Sequence, residues 1–134
     1  MSEQRVFKVA DHLQPNDGEP IRSVVHATDD AAIVAWTVKP GQGITSHVHP
    51  SGQDTWTILA REGEYQLDAA GQTVRITAGD VVVAPTGAVH GVLNTGAHAL
   101  VFVSVVSPAS SGYEPLGSTR FTRATWPRAQ RYQS

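Results

Sequence analysis

Apolar and polar residues alternate along this chain in short runs, and no segment carries a convincing amphipathic helical stripe. Ala31 to Val38 is rich in β-branched and aromatic residues and stops at Pro40-Gly41, which reads as a strand. Asp54 to Leu59 alternates with period two, so Asp54, Trp56 and Ile58 share one face and Thr55 and Thr57 the other. Glu64 to Leu67 and Thr73 to Thr77 flank a five-residue loop, Asp68 to Gln72, suited to a hairpin. Val81 to Ala84 follows a Gly79-Asp80 turn, His90 to Leu93 stops at Asn94-Thr95-Gly96, and Ala99 to Val106 is a long last strand before Pro108. Residues 21–27 supply one strand more. Many short strands with turn signals between them predict an all-β sandwich or barrel.

Composition narrows what such a barrel can do. The 134 residues suit one domain. Within it, 1–20 reads as an N-terminal arm, 31–106 as the barrel core and 107–134 as a C-terminal tail. The tail is basic after Glu114, with Arg120, Arg123, Arg128 and Arg131. It is either a solvated terminus or a segment that packs Phe121, Trp126 and Tyr132 on the barrel or on a neighbouring subunit. A formal net charge of −2 argues against a nucleic-acid partner. No run approaches a membrane span, and Met1 to Val6 lacks the apolar core of a secretory leader, so the expected location is the cytoplasm. With no cysteine, thiol nucleophiles and thiolate zinc sites are excluded, and histidine and carboxylate remain as the strong metal ligands.

That places the weight on the histidines. His47 and His49, one residue apart on a strand, point to the same side and can hold one metal ion together. His90 follows Pro85-Thr86-Gly87, where a proline bend and a glycine free to take positive φ can aim it at the same point. Asp54 opens the next strand beside the pair. Gly79, Pro85, Gly87, His90 and Asn94 fit G-x5-P-x-G-x2-H-x3-N at every specified position. Gly41, His47, His49, Asp54 and Arg61 fit G-x5-H-x-H-x3,4-E-x6-G with two departures, Asp54 for glutamate and Arg61 for glycine. On these two segments the chain resembles the cupin superfamily, over roughly residues 31–106. The resemblance implies a double-stranded β-helix, or jelly roll, and a homodimer with the N-terminal arm and last strand as contact elements. It also implies one divalent transition metal (Fe, Mn, Ni, Zn or Co) held by His47, His49, Asp54 and His90. Because aspartate is a methylene shorter than glutamate, two alternatives stay open: Gln53 supplies an amide oxygen, or the three histidines bind alone with water. Arg61 implies a different turn from the glycine of the signature. His12, His26 and His98 lie outside both segments and read as surface or hydrogen-bonding residues, with strand 21–27 giving His26 a place near the barrel mouth.

Alternation places Trp56 and Ile58 with Asp54, and Val92 with His90, so these three are the candidate lining of a small-molecule pocket, with Trp36, Tyr65 and Phe102 as further wall candidates. The leading functional expectation is a metal-dependent, dioxygenase-like oxidoreductase acting on a small organic substrate, with no catalytic residue assigned beyond the ligands. A non-catalytic metal-dependent binding or sensing module and a cupin isomerase or lyase are the alternatives. A metal-free structural remnant fits poorly with the intact histidine set.

Overall fold

Strands form close to where alternation predicts them. They are β1 (Ser23–Ala27), β2 (Ala32–Val38), β3 (Gly43–Val48), β4 (Gln53–Ala60), β5 (Glu62–Gln66), β6 (Thr73–Thr77), β7 (Val81–Ala84), β8 (His90–Leu93), β9 (Leu100–Ser107) and β10 (Glu114–Pro115). The computed structural model describes residues 3–116, so the expectation that Phe121, Trp126 and Tyr132 pack on the barrel lies outside the described residues. Two five-stranded sheets result, ordered β1-β2-β9-β4-β7 and β10-β3-β8-β5-β6. All their pairings are antiparallel. A 3-10 turn at Val9–His12 and the two-residue β10 carry no periodic signal, and alternation does not reveal them. No helix among the described residues is long and apolar enough to cross a membrane.

The alternating faces close over a shared core. Along β4, Asp54, Trp56 and Ile58 are buried while Gln53, Thr57 and Leu59 are exposed. On β9, Leu100, Phe102, Ser104 and Val106 turn inward. The indole of Trp56 stacks on Phe102 at 4.2 Å between ring centroids, and the Trp36 indole N–H donates to Ser104 Oγ at 3.1 Å. Trp56, Ile58 and Val92 belong to the same cluster as Val34, Val38 and Leu100.

Asn94 clamps one end of the barrel. Its side-chain Nδ2 donates to the carbonyls of Val38 and His98, each at 2.8 Å, and its Oδ1 accepts from the Gly96 N–H at 2.8 Å. The backbone of Asn94 also pairs with Gly41 and Gln42, which joins the start of the first signature to the end of the second. Asn94→Asp replaces two buried donations by a carboxylate facing carbonyl oxygens, at an expected cost of roughly 3 kcal/mol or more. A lowered denaturant midpoint with unchanged slope is the expected readout.

Arg61 corrects one expectation. The turn between β4 and β5 is not a different one: Arg61 has φ +67°, the left-handed conformation that glycine favours. The turn is kept because its hydrogen bonds fix it, including the Ala78 N–H to the Arg61 carbonyl at 2.9 Å. Arg61→Gly should therefore stabilise the fold by up to about 1 kcal/mol, the relieved Cβ strain outweighing glycine's greater freedom when unfolded. Thermal unfolding of the variant measures this directly.

Candidate metal centre

A β-bulge brings the histidines inward. Between β3 and β8 the register runs from Ile44 opposite Val92 to His47 opposite His90, three steps on one strand against two on the other. Strict alternation would put Ile44 and His47 on opposite faces, and the extra residue rephases β3 so that both are buried. Gly91 lies opposite the bulge. A Cβ there would sit 2.7 Å from the Ile44 carbonyl oxygen and 3.0 Å from the Ser46 nitrogen, so only glycine admits the approach.

The second signature segment is tied to the first by backbone. Gly87, at φ +78°, donates its N–H to the His49 carbonyl at 2.9 Å, and the Ala88 N–H donates to Pro85. This turn delivers His90 beside His47, with ring centroids 4.2 Å apart. Asp54 approaches from the opposite sheet, on β4. Its Oδ2 lies 3.2 Å from His49 Nε2 and 2.9 Å from His90 Nε2. One ligand atom from each of His47, His49, Asp54 and His90 falls within 4.8 Å of all the others, and all four residues are buried.

The outward ring nitrogens settle the tautomers. His47 Nδ1 lies 2.7 Å from the Thr45 carbonyl and His49 Nδ1 2.7 Å from that of Gly112, while His90 Nδ1 makes a longer contact of 3.5 Å with Ala88. A carbonyl only accepts, so the Nδ1 of His47 and of His49 donates, and in the neutral ring Nε2 carries the lone pair. At His49 that lone pair faces a carboxylate oxygen at 3.2 Å, an arrangement that demands a proton or a cation between them. Asp54 Oδ1 is buried without a hydrogen-bond partner among the described residues, which a cation would also satisfy. The donor set fits a divalent transition metal.

The electrostatics agree. Burial, followed by the charge of His90, holds the His47 imidazole well below its usual range, so it stays in the neutral ligand form. Burial pushes the Asp54 carboxyl up, but its close contacts with the His49 and His90 rings outweigh it, and the net shift is below the usual carboxylate range. Tyr65 is pushed well above the ordinary phenol range by burial and then by Asp54, so it remains a neutral donor. Around this group, Trp56 meets His90 edge-on at 5.5 Å and Tyr113 lies 4.8 Å from the His47 ring.

Asp54 reaches the histidines despite its short side chain. Gln53 does not stand in for it: the side chain is exposed on the other face of β4, where its amide donates to Thr55 Oγ1 at 3.3 Å. Trp56, Ile58 and Val92 face inward but fill the core, as side chains do in small barrels, and Trp56 forms a floor against His90. His12 and His26 pack around Phe7 of the arm at 6.3 and 5.1 Å, and His98 is exposed, so none joins the cluster. A cleft of about 100 Å³ reaches His49 from outside, lined among others by Arg22, Ala32, Val106, Ser111 and Tyr113. Ser111 and Tyr113 escape detection in sequence, because a Ser/Gly/Pro-rich stretch resembles a loose tail, and Arg22 because nothing in its spacing ties it to the histidine segments. The start of that tail is in fact part of the barrel: the Ser51 N–H donates to Ser111 at 2.8 Å, and β10 pairs with His47 and Val48.

Two sheets folded as a double-stranded β-helix around a buried His-His-Asp-His group define a small β-barrel whose interior cluster could hold a metal ion. The Cupin domain profile matches residues 34–106, more than half the chain, and the protein belongs to the cupin family. A conserved Klebsiella pneumoniae protein with a double-stranded β-helix domain is 46% identical over 87% of this chain and 100% of its own, with a TM-score of 0.82. An RmlC-like cupin from Desulfovibrio desulfuricans is 24% identical over 80% of this chain and 99% of its own, at TM-score 0.70. KdgF from a Halomonas species is 25% identical over 79% and 94%, at TM-score 0.66. No curated protein matches the chain significantly.

Proposed function

We propose that this cupin holds one divalent transition metal at His47, His49, Asp54 and His90 and uses it as a dioxygenase-like oxidoreductase on a small organic molecule. The observation that carries the reading is the convergence of four buried ligand atoms within 4.8 Å, with the Nδ1 atoms of His47 and His49 tied to carbonyls. Bound there, the metal supplies Lewis acidity and, as Fe(II), a means of activating dioxygen. The chain's own residues do the rest. The Thr45 and Gly112 carbonyls fix the ring orientations, and Asp54 contributes the one negative charge of the set. Trp56, Tyr65 and Phe102 exclude water from the inner side, which strengthens every electrostatic interaction at the centre. The Tyr65 hydroxyl stays protonated and so offers a donor rather than a base.

Oxygen uptake by the iron-loaded protein, supplied in turn with phenols and β-diketones, tests the proposal. The expected result is substrate-dependent oxygen consumption that disappears in His47→Ala. Tight binding of such compounds with no turnover under any of the five metals would favour the sensing module instead.

A further inference from the structure

We propose that the cavity between the β4–β5 turn and the β8–β9 loop binds a phosphate group, free or carried on a small molecule, through Arg61 and His98. Arg61, Glu62, Ala97 and His98 line this cavity of about 180 Å³. It lies at the other end of the barrel from the metal cluster. Asp54 is the second residue of β4 and Arg61 follows its last, which puts them roughly 20 Å apart along the strand.

Arg61 stands where its backbone is strained. At φ +67° a side chain is carried at a cost in stability, and glycine would remove that cost while keeping the turn. Residues held in sparsely populated backbone regions cluster at ligand clamps. Here the strained position puts a guanidinium, with its five N–H donors, on the wall of a cavity.

The donors are available. Among the described residues neither the Arg61 guanidinium nor the His98 ring has a hydrogen-bond or ion-pair partner, and both residues are exposed. Glu62, the one carboxylate of the lining, is engaged by Arg75 Nη2, which offsets its charge and leaves that of Arg61 uncompensated. His98 adds a ring N–H, which an imidazole carries in its neutral as in its charged form. Donors from two separate turns suit a tetrahedral oxyanion, whose oxygens point several ways; a planar carboxylate is filled by one guanidinium fork.

The walls are held by the fold. The Arg61 carbonyl accepts from the Ala78 N–H at 2.9 Å. On the other side the buried Asn94 accepts from the Gly96 N–H and donates to the His98 carbonyl, each at 2.8 Å. A Cβ on Gly96 would lie 3.3 Å from Glu62 Oε2, so the two loops meet at close range. Binding then has only side chains to order. The room is below the roughly 300–1,000 Å³ of sites for drug-sized ligands, and it admits a phosphate with a few carbon atoms against Ala97.

Nuclear magnetic resonance titration of the isotope-labelled full chain with sodium phosphate, ionic strength held constant with chloride, tests the site. Saturable shifts are expected at the His98 ring and at the amides of 60–62 and 96–98, with a dissociation constant on the order of 1 mM. Arg61→Gly, which keeps the turn, should weaken phosphate about ten-fold or more, and Arg61→Lys should fall between because it keeps the charge and loses the fork. Glycerol 3-phosphate separates the two sources of the group: tighter binding than inorganic phosphate assigns the site to a phosphate ester, weaker binding to the free anion. Phosphate affinity unchanged in Arg61→Gly, or no saturable shift at these two turns, would overturn the site. Shifts spread over the lysines and arginines of the whole surface would overturn it equally, as a diffuse ion atmosphere.

Discussion

Asp54→Asn protein is expected to bind its metal at least about a hundred-fold more weakly than the parent, since even outer-shell losses cost roughly 10–100-fold in affinity. Asp54 is the one anionic member of the cluster, and its Oδ2 faces two imidazole nitrogens at 2.9 and 3.2 Å. Asparagine keeps the shape but removes the charge that offsets the dication in a buried site. It can also turn its NH2 toward the centre, where no donor is useful. Zinc affinity by competition with a chromophoric chelator reads the change, and circular dichroism verifies that the barrel is retained. An asparagine variant with parental affinity would show that the histidines hold the metal without the carboxylate.

The pH dependence has a defined sign. Metal binds the neutral imidazole, so protons compete with it, and affinity falls as pH drops below roughly 6.5, the ordinary histidine value. His47 is held neutral by burial and stays ligand-competent further into acid than a free imidazole would. Loading at neutral pH should accordingly release protons, which buffers of different ionisation heat reveal in calorimetry.

Gly91→Ala should destabilise the protein by about 3 kcal/mol, at the upper end of overpacking costs, and abolish stoichiometric metal binding. The added methyl would lie 2.7 Å from a backbone carbonyl, an atom that cannot swing aside as a side chain can. Relief requires β3 to part from β8 at the bulge, which separates His47 from His90. The same strand movement thus costs both packing and the metal centre. Urea unfolding with zinc stoichiometry measures both; a loss below about 1 kcal/mol with intact binding would show that the bulge is not needed to aim His47.

The barrel was legible because its strands carry period two, and β4 displays this best: Asp54, Trp56 and Ile58 are buried while Gln53, Thr57 and Leu59 are exposed. The histidines were legible from spacing and from their Gly and Pro frames. What periodicity could not reveal is the bulge at Ile44 to His47, since an inserted residue breaks the very alternation used to assign faces. Nor could it reveal which side of the centre is open. Trp56, Ile58 and Val92 share the faces of the ligands but are consumed by the core. The cleft instead draws on Arg22 ahead of β1, which no spacing ties to the histidine segments, and on Ser111 and Tyr113 beyond β9, in a stretch whose Ser/Gly/Pro-rich character resembles loose chain. Arg61 is a milder case: the residue type argued for a new turn, yet the surrounding hydrogen bonds hold it at a positive φ.

The four-residue metal centre is the claim on which the rest depends. Anomalous diffraction from a crystal of the cobalt-loaded protein, collected on either side of the metal's absorption edge, tests it most directly. The predicted result is one strong peak per chain within bonding distance of His47, His49 and His90 Nε2 and of the Asp54 carboxylate, and no such peak in crystals of His90→Ala. A crystal soaked in cobalt that shows no peak between these residues, or one held by other side chains, would contradict it.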